Sequence, residues 1–158
     1  MAAYPYSNDR DLIARALIIK DEHILVNQNQ SRKTGEKYVA LPGGHVDPGE
    51  NCVVALAREI FEEMEGRATV HDLVFVAESI YGGRSKKDKS RHELTLVFRA
   101  DVTGLKEDNG NVLSPESDKA FKWLPLAELP DTNLLPATVK AFILGRDLHR
   151  YAFSDITK

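Results

Sequence analysis

The chain has 158 residues, 42% of them apolar and 28% charged, a balance that suits one soluble globular domain with a sizeable core. A net charge of -3 argues against a duplex nucleic-acid partner, which asks for a marked basic excess, and no apolar run approaches the roughly 20 residues of a membrane span. Cys52 is the only cysteine, so no internal disulfide forms, and with no leader-like opening the expectation is a cytoplasmic protein.

In chain order, residues 1–10 read as an irregular lead-in, and residues 12–20 and 23–28 are β-rich runs separated by Asp21-Glu22, which predicts a hairpin. Arg15 sits inside the first run, where a charge must reach solvent or a partner; a substrate phosphate is one such partner and an exposed sheet face the other reading. A polar loop over 29–37 leads to a short strand at 38–40 and then to Gly43-Gly44, where the backbone can come close to a ligand. Pro48-Gly49 marks a turn and Asn51 is a good N-cap, so a helix should begin near Cys52. At about 100° per residue, Val53, Leu56, Ala57, Ile60 and Met64 share one apolar arc, and Glu59, Glu62 and Glu63 share another. Further strands are expected at 73–79, 92–102 and 120–124, and a second amphipathic helix at 134–145. Between them, residues 81–91 hold Arg84, Lys86, Lys87, Lys89 and Arg91 against Asp88: a solvated hairpin tip, or a patch that draws a polyphosphate inward. Strands before, between and after two helices predict an α/β fold, a mixed sheet with helices on its faces, as one domain over 1–158 with its core at about 12–146.

Three carboxylates at i, i+3 and i+4 repel one another, and a surface helix serving only solubility would usually interleave lysines. A hard divalent cation removes the conflict, because carboxylate oxygens are its preferred ligands. Standing alone, the three glutamates would read as a solvated face. They stand in a longer pattern: Gly44, Glu50, Arg58-Glu59-Ile60 and Glu62-Glu63.

This pattern resembles the signature of the Nudix hydrolases: Gly, any five, Glu, any seven, Arg-Glu-aliphatic-any-Glu-Glu-any-Gly-aliphatic. Seven of its nine defined positions agree; it departs where Glu65-Gly66 replaces Gly-aliphatic, which predicts a helix end moved by one residue with Gly66 supplying the left-handed cap. The resemblance implies a Nudix-type α/β/α sandwich and a pyrophosphohydrolase in which water attacks a phosphoanhydride of a nucleoside di- or triphosphate or of a nucleoside diphosphate derivative, with Mg2+ or Mn2+ as cofactor. Carried over position by position, Glu59, Glu62 and Glu63 would be catalytic carboxylates and metal ligands, and Gly43 would offer its carbonyl to the metal. Arg58 would hold a carboxylate through a fork of hydrogen bonds, Glu50 would tether the turn to the helix, and Glu59 is also a candidate base. Relatives add a carboxylate from a loop outside the signature, for which Glu116 is the first choice and Glu93 the second.

On the substrate side the candidates are Arg15, Gly44, His45 and Arg84 toward phosphate, and Tyr38, Tyr81 and Trp123 for stacking on a base, although aromatics beside strands are more often core. The expected partner is a small nucleotide, with no membrane and no nucleic acid; a homodimer stays open. Two other readings remain beside it. One is a nucleotide-binding regulatory module without turnover, and the other a hydrolase of RNA 5' ends.

Overall fold

The computed structural model describes residues 10–82, 91–146 and 149–155. The elements are β1 (Arg10–Leu17), β2 (Ile19–Lys20), β3 (His23–Gln30), β4 (Lys37–Ala40), β5 (Gly43–His45), α1 (Cys52–Met64), β6 (Arg67–Tyr81), β7 (Arg91–Thr103), β8 (Glu107–Asp108), β9 (Asn111–Val112) and β10 (Phe121–Pro125). A 3-10 turn (Leu126–Asp131), α2 (Ala137–Ile143) and β11 (Tyr151–Asp155) complete them. One sheet runs β11-β6-β7-β1-β5 and is mixed, with β1 parallel to β7 and β11 parallel to β6. A second runs β2-β3-β10-β9-β8, with β4 added on β3, and is antiparallel throughout.

The run over 12–20 forms the expected hairpin with the run over 23–28 only at its tip, where Ile19 and Lys20 pair with Ile24 and His23 across Asp21-Glu22. Ile18 is buried and its carbonyl accepts from the Leu25 N–H, so the chain changes sheet there. Only Ile19–Lys20 pairs back on β3, while β1 goes between β7 and β5. The longer first strand therefore belongs to a pairing that spans most of the chain.

Successive residues of a strand face opposite sides, and β7 uses this to serve two cores. Phe98 packs with Ala14, Ala16, Leu56, Ile60 and Met64 under α1, whereas Val97 packs with Ile24, Val26, Phe75 and Val139 on the α2 side. Each fully buried Leu or Ile contributes about 1.5–3 kcal/mol. The Phe75 and Phe142 rings stack at 4.7 Å, fixing α2 on its face. Among the described residues, no helix is long and apolar enough to cross a membrane.

Asn51 caps α1 as expected, its side chain accepting from the Val54 N–H at 3.0 Å. The packing face is turned from the expected arc: Val53 is 44% exposed, while Ala55 and Glu63 are buried with Leu56, Ile60 and Met64. The rotation follows from what α1 rests on, since it packs against β5 as well as β1 and β6, with Gly43 and Gly44 of β5 lying against Leu56 and Glu59.

The helix end also differs from expectation. Glu65, not Gly66, takes the left-handed conformation (φ 55°, ψ 16°), with its N–H on the Phe61 carbonyl at 2.8 Å. Gly66 is needed for space instead: a Cβ there would lie 2.7 Å from Leu105 Cδ2 and 2.7 Å from Val102 Cγ1. A non-glycine residue in the left-handed region costs roughly 1–2 kcal/mol. Glu65→Gly should therefore stabilise the protein by about 1 kcal/mol, the exposed Lys106 pair being worth little, and raise the urea midpoint; a lowered midpoint would give the ion pair the larger role.

Candidate active site

The site begins where β5 passes under α1. The register sets Arg15 beside Gly43 and Ala14 beside Gly44. Gly43 has φ 126°, and any Cβ there would strike the Ala14 carbonyl oxygen. A Cβ on Gly44 would fall 2.5 and 2.7 Å from the two carboxylate oxygens of Glu59. Two glycines thus let a strand run directly beneath a carboxylate.

Arg58 ties this arrangement together. Its Nη2 and Nε fork onto Glu50 at 2.6 and 3.3 Å, and its Nη1 donates to Glu59 at 3.0 Å and to Glu62 at 3.2 Å. Nη2 also reaches the His45 carbonyl at 3.2 Å, and Glu50 in turn accepts from the Asp47 N–H at 3.0 Å. One guanidinium joins the turn, the glycine strand and the helix, the bidentate geometry in which arginine is strongest. Its hydrogen bonds hold the Glu50 carboxyl below its usual range, and Glu50 holds Arg58 above its own.

A cavity of about 290 Å³ opens above the glycines. It brings Arg15, Tyr38, Gly43, Gly44 and His45 together with Glu59 and Glu63. Glu62 is absent from its wall: its side chain is 51% exposed and shares Arg58 Nη1 with Glu59 on the outer side. The expected single wall of three carboxylates is therefore split, two inward and one outward. The Glu63 side chain is 3% exposed, with Oε1 at 3.2 Å from Lys119 Nζ and Oε2 buried without a hydrogen-bond partner. Burial pushes the Glu63 carboxyl up, against the pull of Lys119.

Arg15 is neither on an open sheet face nor free. Its Nη1 donates to the Leu41 carbonyl at 3.1 Å and to the Gly43 carbonyl at 2.6 Å, so the oxygen expected to face a metal already accepts from a cation. Burial lowers the Arg15 guanidinium's proton affinity, with the Glu63 charge opposing. Glu116 lies outside the cavity wall; its carbonyl accepts from the Lys119 N–H at 3.2 Å in the turn that carries Lys119 inward. Glu93 accepts from Tyr81 at 2.8 Å and from Thr95 at 2.8 Å, and burial together with Glu93 raises the Tyr81 phenol. Trp123 is elsewhere, bonded to Glu107 at 3.0 Å in a shallow depression with Lys20 and His23. Lys119, one lysine in a polar loop, carried no signal in the sequence.

The small cavity shares Asn29, Tyr38 and Lys119 with a cleft of about 1290 Å³. Arg32, Lys33, Lys37 and Arg91 line the cleft with Tyr81, set against Glu36 and Asp118. Arg84 and the rest of residues 83–90 lie outside the described residues.

Among the described residues, no three His, Cys, Asp or Glu side chains converge as in a formed metal centre. Two carboxylates do meet, one of them with a buried oxygen that has no partner, and this is the all-oxygen donor chemistry that a hard divalent cation takes. A buried charge held this way is a stability cost. The folded-state pKa of Glu63 lies above the unfolded value of 4.5, so its ionisation favours the unfolded chain and its stability penalty grows as pH rises above that value. Without added metal, Glu63→Gln should match the wild type near pH 4 and exceed it at pH 7 by on the order of 1 kcal/mol in urea denaturation. A mutant less stable at pH 7 would make the Lys119 pair a net support.

The NUDIX domain model matches residues 10–143. The chain is 31% identical to an RNA pyrophosphohydrolase of Rhodopseudomonas palustris (strain HaA2) over 101 residues, 58% of this chain and 60% of that protein's length. Among solved structures, the crystal structure of a MutT NUDIX hydrolase from Burkholderia pseudomallei is 26% identical, with a TM-score of 0.65 over 86% of this chain and 98% of that one. The solution structure of the E. coli ORF135 protein shares the fold at 24% identity, with a TM-score of 0.62 over 87% and 91% of the two chains. With its signature carboxylates on α1 beside a glycine strand, and the family model matched over most of its length, the chain belongs to the Nudix family.

Proposed function

We propose that the protein is a Nudix-type pyrophosphohydrolase that hydrolyses a phosphoanhydride bond of a nucleoside di- or triphosphate, or of a nucleoside diphosphate derivative, with Mg2+ or Mn2+. The observation that carries the reading is the meeting of Glu59 and Glu63 above Gly43 and Gly44 in a cavity that opens onto a cleft bearing four further cations. Glu59 and Glu63 would hold the metal, with Glu62 adjoining Glu59 through the Arg58 that both contact. When bound, the ion supplies charge neutralisation at phosphate oxygens and acidifies water.

The remaining work falls to the chain. Arg58 fixes the Glu59 carboxylate from one side, and Gly44, with no Cβ to strike it, lets the same group rest against the β5 backbone. Arg15 steadies the Gly43 carbonyl, and with it the floor of the cavity. Tyr38 lines both cavities, a position from which its ring can meet a base, and Arg32, Lys33 and Lys37 suit the charge of a phosphate chain.

A second reading, hydrolysis of RNA 5' ends, draws on the name of the R. palustris relative and on the basic lining of the large cleft. The net charge of -3 weighs against a long strand as the preferred substrate.

The test is release of phosphate or nucleotide from nucleoside di- and triphosphates, nucleotide sugars, dinucleoside polyphosphates, ADP-ribose and a 5'-triphosphorylated oligoribonucleotide, with Mg2+, Mn2+ or chelator. Metal-dependent cleavage of a small nucleotide is expected, at least 100-fold slower in Glu63→Gln. Cleavage of the oligoribonucleotide alone, with affinity falling steeply with salt, would favour the second reading, and nucleotide binding without turnover would make the protein a regulatory module. Mn2+ should also raise the melting temperature of the wild type more than that of Glu63→Gln, since only the former offers both inner carboxylates.

A further inference from the structure

The site holds one group that the pyrophosphohydrolase reading leaves unused. Lys119 leaves the loop before β10 and ends on Glu63, 3.2 Å from Oε1, and it is the only cation shared by the walls of the small cavity and the large cleft among the described residues. The Glu63 side chain is 3% exposed and Lys119 33%, so the carboxylate is fixed in the interior while the ammonium retains access to the cleft. The turn that places it is anchored by backbone: the Glu116 N–H donates to Ser114 Oγ at 3.1 Å and the Lys119 N–H to the Glu116 carbonyl at 3.2 Å. Only the flexible four-carbon stem need move for the head group to change partner.

We propose that Lys119 is a substrate-binding residue held in reserve: it neutralises Glu63 in the empty protein and, when a divalent cation takes that carboxylate, turns to the phosphate chain of a nucleotide in the large cleft. This rests on the reading of Glu59 and Glu63 as metal ligands. Lysine and a divalent ion compete for one carboxylate, because two positive charges on the same oxygens repel in a site of low dielectric. The displaced ammonium has a destination in the same wall, where Arg32, Lys33, Lys37 and Arg91 already favour an anion and Lys119 would be the member of that set nearest the carboxylates. The other groups facing it are Asp118, its neighbour in the cleft, Glu59, which Arg58 engages, and, on the wall of the small cavity, His45 and Arg15, the latter held on the Leu41 and Gly43 carbonyls. Glu63, whose second oxygen has no partner, is the carboxylate with most to gain from exchanging one cation for another. The loop that was expected to donate a carboxylate from Glu116 thus donates a cation.

The experiment compares wild type, Lys119→Met and Lys119→Arg at pH 8 by two readouts: the Kd for Mn2+ alone, from the paramagnetic resonance signal of free Mn2+, and the KM and kcat for the substrate identified above at saturating metal. Lys119→Met removes the competitor and keeps the stem, so Mn2+ should bind roughly tenfold more tightly while KM rises about tenfold with kcat changed less. Lys119→Arg keeps the charge and should remain close to wild type in both. Mn2+ affinity unchanged or weakened in Lys119→Met, or a KM that does not rise, overturns the proposal. If the wild type itself binds no Mn2+, the metal reading fails first, and the two failures are told apart.

Discussion

The folded chain depends on balancing a concentration of negative charge along one helix. Glu59, Glu62 and Glu63 crowd α1, and Asp47 and Glu50 approach from the turn before it. Arg58 is the response: a single side chain with five donors that meets four of these carboxylates and the strand carbonyl of His45. Arg15 and Lys119 answer the inner carboxylates from two other elements. Because each cation comes from a different part of the chain, neutralising α1 also docks β1, β5 and the loop before β10 onto it.

Much of this was legible in the sequence, for a definite reason. Helix periodicity puts Glu59, Glu62 and Glu63 within one turn, and the spacing of Gly44, Glu50 and Arg58 is local, so a signature could encode the turn, the strand and the helix together. What it could not encode is what those side chains face. Glu62 and Glu63 lie at the two ends of one carboxylate arc, about 100° apart and on either side of Glu59, and a helical wheel does not say which end faces the protein; one is 51% exposed and the other 3%. Lys119 and Arg15 reach the site through sheet pairing and a turn, neither of which leaves a periodic trace.

The same limit explains the fold-level differences. Apolar, β-rich residues over 12–20 predict strand, and strand they are, but composition does not assign a strand to a sheet; the buried Ile18 does, by sending the chain from one sheet to the other. The short pairs Glu107–Asp108 and Asn111–Val112 have too few residues to announce themselves, and the five-residue strand Tyr151–Asp155 is set by its parallel pairing with β6, which no local pattern records. At the helix end, the expected glycine is present one residue late because Val102 and Leu105 close over it, leaving Glu65 to take the strained turn.

One pairing sets the order in which these pieces can assemble. Strand β1 lies parallel to β7, with Arg10 opposite His92, 82 residues away, so the two meet only after a loop containing α1, β3, β4 and β6 has closed. Closing so long a loop is entropically unfavourable before any contact rewards it, and contacts of this range slow folding. Arg15 belongs to β1, and it is Arg15 that holds the Gly43 carbonyl. On a growing or refolding chain, β1 can meet β5 across the 28 residues between Arg15 and Gly43, but the sheet that carries this floor of the cavity closes only when β7 arrives on the other side of β1.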